Sequence, residues 1–347
     1  MRLVLLRWNQ HTLENSPFPA ASGKGFHHKK IGGISLFGKE KSQYIEDSKF
    51  RYTMREVKKN GSAYILALPY FVLFLIFTGI PVVISLPVGF TNFNMVQFPQ
   101  WVGLSNFYTL FLQDDVFLIA IQNTLVFAII TGPVSYILCF LLAWLINEMP
   151  GPLKTVFTYI FYAPTLAGNI YATWQLIFSG DTYGFLNSVL MSLGFINGPQ
   201  QWLTDARYIL MCVIIVQMWM ALGAGFLSLR AGFQGIDKSG YEAGAIEGIK
   251  NRFQELLYIT IPAMGPQLLF AAVMQITSSF TAGDIGRFLT AFPSTDYAAH
   301  TIMTHAFDYG SVRYEMGYAC AICFLLFIVM IIVNNVIRKA MSGILDT

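Results

Sequence analysis

Six apolar stretches constrain this chain more than anything else in it: Ser62–Thr91, Val116–Ile146, Thr155–Phe178, Tyr208–Leu229, Ile259–Ala282 and Gly317–Ile337. Each exceeds the roughly 20 residues that a helix needs to cross about 30 Å of hydrocarbon. In that layer every backbone N–H and C=O has to find its partner within the protein, so the expected fold is all-α and polytopic. The balance of 55% hydrophobic to 12% charged residues is far from that of a water-soluble domain. A seventh run, Gly184–Ile196, is short and carries Asn187, Ser188 and Ser192. It is expected to lie at an interface or to re-enter rather than to span.

Lysine and arginine set the orientation. Twelve of them lie between Arg2 and Lys59, and Arg338 and Lys339 follow the sixth stretch. An even number of spans returns both ends to one side, and that side is read as the cytoplasm. Lys154, Arg230, Lys238, Lys250 and Arg252 fall in loops of the same side, against Arg207, Arg287 and Arg313 opposite. The expected organisation is a basic, largely disordered tail over 1–61, a membrane domain over 62–340 and a short tail over 341–347. Leu3–Leu6 is too brief to be the apolar core of a cleavable leader.

Several chemistries find no support. No segment fits GxxxxGK[ST], so no nucleotide site is expected, and neither is a nucleic-acid partner. Cys139, Cys212, Cys320 and Cys323 all lie inside expected spans, where packing is the better reading. His300 and His305 are five apart, off the i, i+4 spacing of two metal ligands on one helix face, and are read as loop histidines. No catalytic cluster is visible and no enzyme is expected. The six cores contain no Asp, Glu, Lys, Arg or His, groups that ion-driven carriers commonly place on their pathway. A transporter built this way would take its energy from another polypeptide.

The polar residues inside the spans are neutral and fall in stripes. Gln217, Ala221, Ala224, Gly225 and Ser228 share one helix face, and Gln267, Ala271, Gln275, Ser278 and Ala282 share another. Asn169, Tyr171 and Trp174 in the third stretch and Trp219 in the fourth stand with them. One reading is helix packing, in which small residues let backbones approach and amides bond between helices. The other is a pathway for a neutral polyhydroxylated solute, which offers hydroxyls to amides and C–H faces to rings. Both stand at this point.

The polar stretch Tyr241–Pro262, YEAGAIEGIKNRFQELLYITIP, lies between the fourth and fifth spans on the cytoplasmic side. Asp237 or Ser239 is suited to cap a short helix, Gly248 to end it, and Lys250–Tyr258 to form a second before Pro262. With small residues at Ala243, Gly244 and Ala245, the first helix has too little apolar area to stand alone and must dock on something.

These residues resemble the signature of binding-protein-dependent ABC importer permeases: Glu-Ala-Ala, three residues, Gly, nine residues, then Ile-x-Leu-Pro. Glu242, Ala243 and Gly248 match in register, Gly244 stands for the second Ala, and Glu247 for the acidic residue often found before the Gly. Ile261 replaces Leu before Pro262, and Ile259 to Pro262 lies one residue farther from Gly248 than the pattern has it. Trp101-Val-Gly-Leu-Ser-Asn-Phe107 with Asn123-Thr124-Leu125 is similar to the first of two unlike permeases in carbohydrate importers of the maltose-type class.

The resemblance implies coupling helices over about 237–258. Tyr241, Glu242, Ala243, Gly244, Ala245, Glu247 and Gly248 would engage an ATPase. It also implies a second permease, two ATPase subunits holding ATP and Mg, an extracytoplasmic solute-binding protein and a carbohydrate cargo. The setting would be a bacterial or archaeal cytoplasmic membrane with its lipid. Asn169, Tyr171, Trp174, Gln217, Trp219, Gln275 and Ser278 are the candidate pathway residues. A stand-alone carrier or channel is the alternative, and it leaves the docking helix without a purpose.

Overall fold

The computed structural model describes residues 60–167 and 170–345, and the basic stretch expected over 1–61 lies almost wholly outside them. The chain divides into two units between Phe74 and Leu75. The described part of the first is α1, Gly61–Phe74, which is apolar on every face and buries none of its side chains. A helix of that kind suits a hydrocarbon surround.

The second unit opens with a π turn, Leu75–Gly79, and α2, Ile80–Val88. The aromatic loop after it turns back on the helix end: Thr91 bridges Trp101, and Val102 N donates to the Phe90 carbonyl at 2.9 Å. The Phe90 ring stacks on Trp101 at 5.5 Å. Asn106 Nδ2 donates to the carbonyls of Gly89 and Thr91, both at 2.9 Å, which joins α3, Ser105–Leu112, to the end of α2.

Asp114 caps the 33-residue α4, Asp115–Asn147, by accepting from Phe117 N. α4 runs as one helix through the Gly132-Pro133 pair. Gly132 matters because a Cβ there would meet Ile276 at 3.3 Å. The third apolar stretch is divided into α5, Gly151–Leu166, and α6, Ile170–Ile177. Neither has the length to span by itself.

The short run after it forms α7, Phe185–Ser192. Asn187, which reads as a polar interruption in the sequence, is fully buried and organises this loop. Its Nδ2 donates to the carbonyls of Ser179, Asp181 and Gln200, and its Oδ1 accepts from Trp202 Nε1 at 2.8 Å.

The fourth stretch is α8, Ala206–Met220, followed by α9, Ala224–Gln234. α9 extends past the expected end of the span and carries Arg230 inside, 4% exposed. Then come α10, Lys238–Ile246, α11, Arg252–Glu255, a π turn Leu256–Thr260, and α12, Ile261–Ala263. They are followed by α13, Gly265–Thr281, α14, Asp284–Leu289, α15, Ile302–Phe307, and α16, Met316–Leu345. α16 takes in most of what was expected to be the C-terminal tail.

Among the described residues, four helical stretches are long and apolar enough to cross a membrane: Gly61–Val88, Asp115–Asn147, Ala206–Gln234 and Met316–Met341. The pair Arg252–Ala263 and Gly265–Thr281, bent by 83°, makes a fifth when counted as one span. α4 runs through all three parts of the core. Cys139 and Ile146 pack with Phe226 and Leu229 of α9 and Leu268 of α13. Phe117 and Ala128 pack with Ile302 of α15 and Ile322 of α16, and Phe127 packs with Ile209 and Val213 of α8.

Asn187→Ala is expected to lower stability by about 1–3 kcal/mol, since it leaves several backbone groups and the Trp202 N–H unpaired. Thermal unfolding and the Trp202 contribution to the emission spectrum, read against Trp202→Phe, measure this. An unchanged midpoint with no red shift would contradict the role given to Asn187.

Candidate functional site

The polar stretch between α9 and α13 is where the sequence expectation is tested most closely. Asp237 caps α10, its carboxylate accepting from Ser239 N at 3.1 Å and from Ser239 Oγ at 2.6 Å. These bonds hold the carboxyl below its usual range. At the other end Gly248 has φ +96°, a conformation that side chains disfavour. Ile249 N donates to the Gly244 carbonyl at 2.9 Å and Gly248 N to that of Ala245 at 3.4 Å. This is the paired termination of a Schellman motif, and Gly248 is required by its backbone angle.

α10 rests on the next helix through its smallest residues. A Cβ on Gly244 would stand 2.6 Å from Ile259 Cδ1 and 3.1 Å from Ile249 Cδ1. The departure from the second Ala of the signature is therefore a packing requirement. Tyr241 OH lies 2.9 Å from Thr260 Oγ1, and that hydroxyl donates onward to the Glu255 carbonyl at 3.2 Å. Tyr241 is accordingly the donor in the first bond.

With Gly244 buried and Tyr241 half-buried, the opposite face presents Glu242, Ala243, Ala245, Ile246 and Glu247 to the outside. Ile246 is 88% exposed. Two acidic groups, two methyls and one protruding apolar side chain make a surface shaped for a partner. Behind α10 is a cavity of about 480 Å³ whose walls include Trp144, Lys154, Phe233, Tyr241 and Arg252. Arg252 ties its rim to Glu148 at 3.5 Å and to Glu255 at 2.8 Å.

The extra residue between Gly248 and Pro262 coincides with the π turn Leu256–Thr260. Ile261 N bonds the Leu256 carbonyl, five residues back, and a turn of this kind holds one residue more than an α turn. Ile259 and Thr260, on which α10 rests, lie in that turn.

The candidate pathway residues fall on a different part of the molecule. Gln217 Nε2 donates to Ser278 Oγ at 3.3 Å, so the two polar stripes meet each other. Gln275 is 3% exposed, and its Nε2 donates to the Ala221 carbonyl at 2.7 Å and lies 3.0 Å from Cys139 Sγ. It satisfies the carbonyl at the break between α8 and α9, which is the packing role. Trp219, 37% exposed, meets Trp174 edge to face at 5.5 Å. Tyr171 stacks on Phe288 at 5.3 Å. Ser278 is exposed, and Asn169 lies outside the described residues.

No protein-family model matches the chain. Among curated proteins it is 28% identical over 287 residues to the arabinooligosaccharides transport system permease protein AraP of Bacillus subtilis (strain 168), covering 82% of this chain and 90% of that protein. Among solved structures it aligns with a bacterial ABC transporter involved in the import of the acidic polysaccharide alginate. The TM-score is 0.67 at 25% identity, over 83% of this chain and 99% of the other. A second alginate transporter structure, in complex with an alginate pentasaccharide-bound periplasmic protein, matches with TM-score 0.69 at 24% identity, over 82% and 95% of the two chains.

The chain is thus similar in sequence to permease proteins of sugar ABC transporters and in fold to an ABC importer of alginate. In this chain, α10 and the π turn occupy the position between the fourth and fifth apolar stretches that the signature marks. Sequence reasoning found α10, its cap and its terminating glycine. It missed Ile259 and Thr260 as the seat of α10, because nothing local marks an isoleucine and a threonine in an apolar run as a docking surface.

If Gly244 is small because of Ile259, Gly244→Leu will raise amide exchange over 238–246, and Gly244→Ala will do so more mildly. Ile259→Val in the Gly244→Ala background should restore protection, giving a double-mutant coupling of about 0.5–1 kcal/mol. Strict additivity would remove Ile259 from the account.

Proposed function

We propose that this permease is one of two unlike membrane subunits of an ATP-driven, binding-protein-dependent importer whose cargo is an oligosaccharide or other neutral carbohydrate. Two separate ATPase subunits hydrolyse ATP with Mg, and the face Glu242–Gly248 carries their motion into the membrane helices. The observation that carries this reading is a capped helix with its small residues seated on Ile259 and its acidic and apolar groups left facing outward. A stand-alone carrier gives that face no purpose.

The cargo class rests on the relative named as an arabinooligosaccharides transport system permease. Amides, hydroxyls and aromatic rings at Gln217, Ser278, Trp219, Trp174, Tyr171 and Asn169 have the chemistry of sugar recognition. The binding protein follows the alginate complex, in which a periplasmic protein holds a pentasaccharide. Six spans with both ends in the cytoplasm complete the reading. In this arrangement α5 and α6 together form the third span and the bent pair through Met264 the fifth.

In the reconstituted importer, Glu242→Ala and Gly248→Leu should each lower uptake and transporter-stimulated ATP hydrolysis tenfold or more while assembly persists. Survival of both activities in both variants would end the coupling role. Gln217→Ala and Trp219→Ala should alter the rate or specificity of uptake, whereas Gln275→Ala should act on assembly.

A further inference from the structure

The chain has a second polar cluster, far in sequence from the coupling element. Asp114, the cap of α4, lies 3.0 Å from His305 Nε2 through its Oδ2. His305 Nδ1 lies 3.0 Å from His300 Nε2. Tyr318 OH donates to Asp114 Oδ2 at 2.9 Å and Tyr309 OH at 3.2 Å, while Phe117 N donates to Oδ1 at 3.0 Å. His300 and His305 are 2% and 1% exposed. Apart from the cap bond within α4, these bonds tie the start of α4 to α15, the π turn Asp308–Val312 and the start of α16.

The protons in this chain are ordered by chemistry. An ionised carboxylate only accepts, so His305 donates from Nε2. A neutral His305 then accepts at Nδ1, and His300 donates from Nε2. His300 Nδ1 is left as a lone pair, and it is buried with no hydrogen-bond partner. One added proton puts a cation in this buried site. A second makes both facing nitrogens donors and breaks the His300–His305 bond.

The charged groups facing the two rings are Asp114 from the start of α4, and Asp308 and Arg313 from the segment after α15. Asp308 and Arg313 pair with each other at 2.6 Å, and Glu315 faces the two tyrosines. None of them lies beside the free nitrogen in hydrogen-bond contact. Neutral bonds supplement the chain: Asn123 Nδ2 to the carbonyls of Tyr297 and His300, and Ile302 N to Thr124 Oγ1.

We propose that the Asp114–His305–His300 chain is an acid-sensitive latch. While both imidazoles are neutral it holds the segment from Tyr297 to Tyr318 on the start of α4, and acid on that side of the membrane releases it. Burial pushes His300 down to about 4 and holds His305 below its usual value. For a base held below its unfolded value, the packed state is fully favoured above about pH 6.5 and loses ground as pH falls toward 4. The placement of the latch on the external face rests on the orientation in the proposed function. There it would couple uptake to the acidity of the medium, in the loop a binding protein approaches.

Hydrogen exchange on the assembled transporter in detergent tests the latch without reference to sidedness. After correction for intrinsic rates, opening of Ile302–Phe307 should increase by up to about tenfold per pH unit between pH 6.5 and 5 for each histidine that takes up a proton. His300→Gln keeps an amide N–H for His305 but removes one titration, so its profile should be shallower. A flat wild-type profile, or equal slopes in wild type and His300→Gln, would overturn the latch. If His300→Gln does not assemble, the wild-type profile alone decides. In proteoliposomes, acid on the binding-protein side should reduce uptake reversibly. Loss of uptake only from acid on the ATPase side would overturn the orientation and leave the latch standing.

Discussion

A helix that breaks inside a hydrocarbon layer frees carbonyls with no water to donate to them, and this protein depends on how it answers that demand. The break at Ala221–Gly223 is the central instance. Gln275 reaches from α13 to the Ala221 carbonyl at 2.7 Å, adding a second donor to the Gly223 N that bonds the same carbonyl at 2.8 Å. Gly225 makes the reach possible, since a Cβ there would stand 3.0 Å from the same amide. α4, α8, α9 and α13 meet around this bond, with Cys139 beside it. One neutral amide thus serves the break between α8 and α9 in the middle of the bundle.

The element between α9 and α13 follows a similar rule at a surface. α10 is too short to be stable alone, so both of its ends are closed by side-chain or glycine chemistry and its inner face is seated on Ile259. The π turn beneath it provides that seat and absorbs a residue without undoing the helix that continues from Pro262.

On the opposite side of the same bundle, polar groups are concentrated where the long loop returns to α4. Asp114 takes four hydrogen bonds there, from one backbone amide, two tyrosines and a histidine. Those bonds and the His305 pair keep its carboxyl low despite its burial. Among the described residues, the buried side chains of α4, α8, α9 and α13 include one charged group, Arg230.

Much of the fold was legible in the chain. Apolar length gave the helical membrane class, and Asp237, Gly248 and their spacing gave α10, because caps and turns act through neighbours a few residues away. Tertiary structure decided the rest. It turned the two amide stripes toward each other, made Gln275 a backbone partner, and explained Gly244 by an isoleucine fifteen positions on. It also drew Asp114, His300 and His305, which the sequence presents as a cap and two loop histidines, into one buried chain. Contacts across nearly two hundred residues leave no periodic mark, whereas the demand that a backbone in hydrocarbon bond to itself is written into every span.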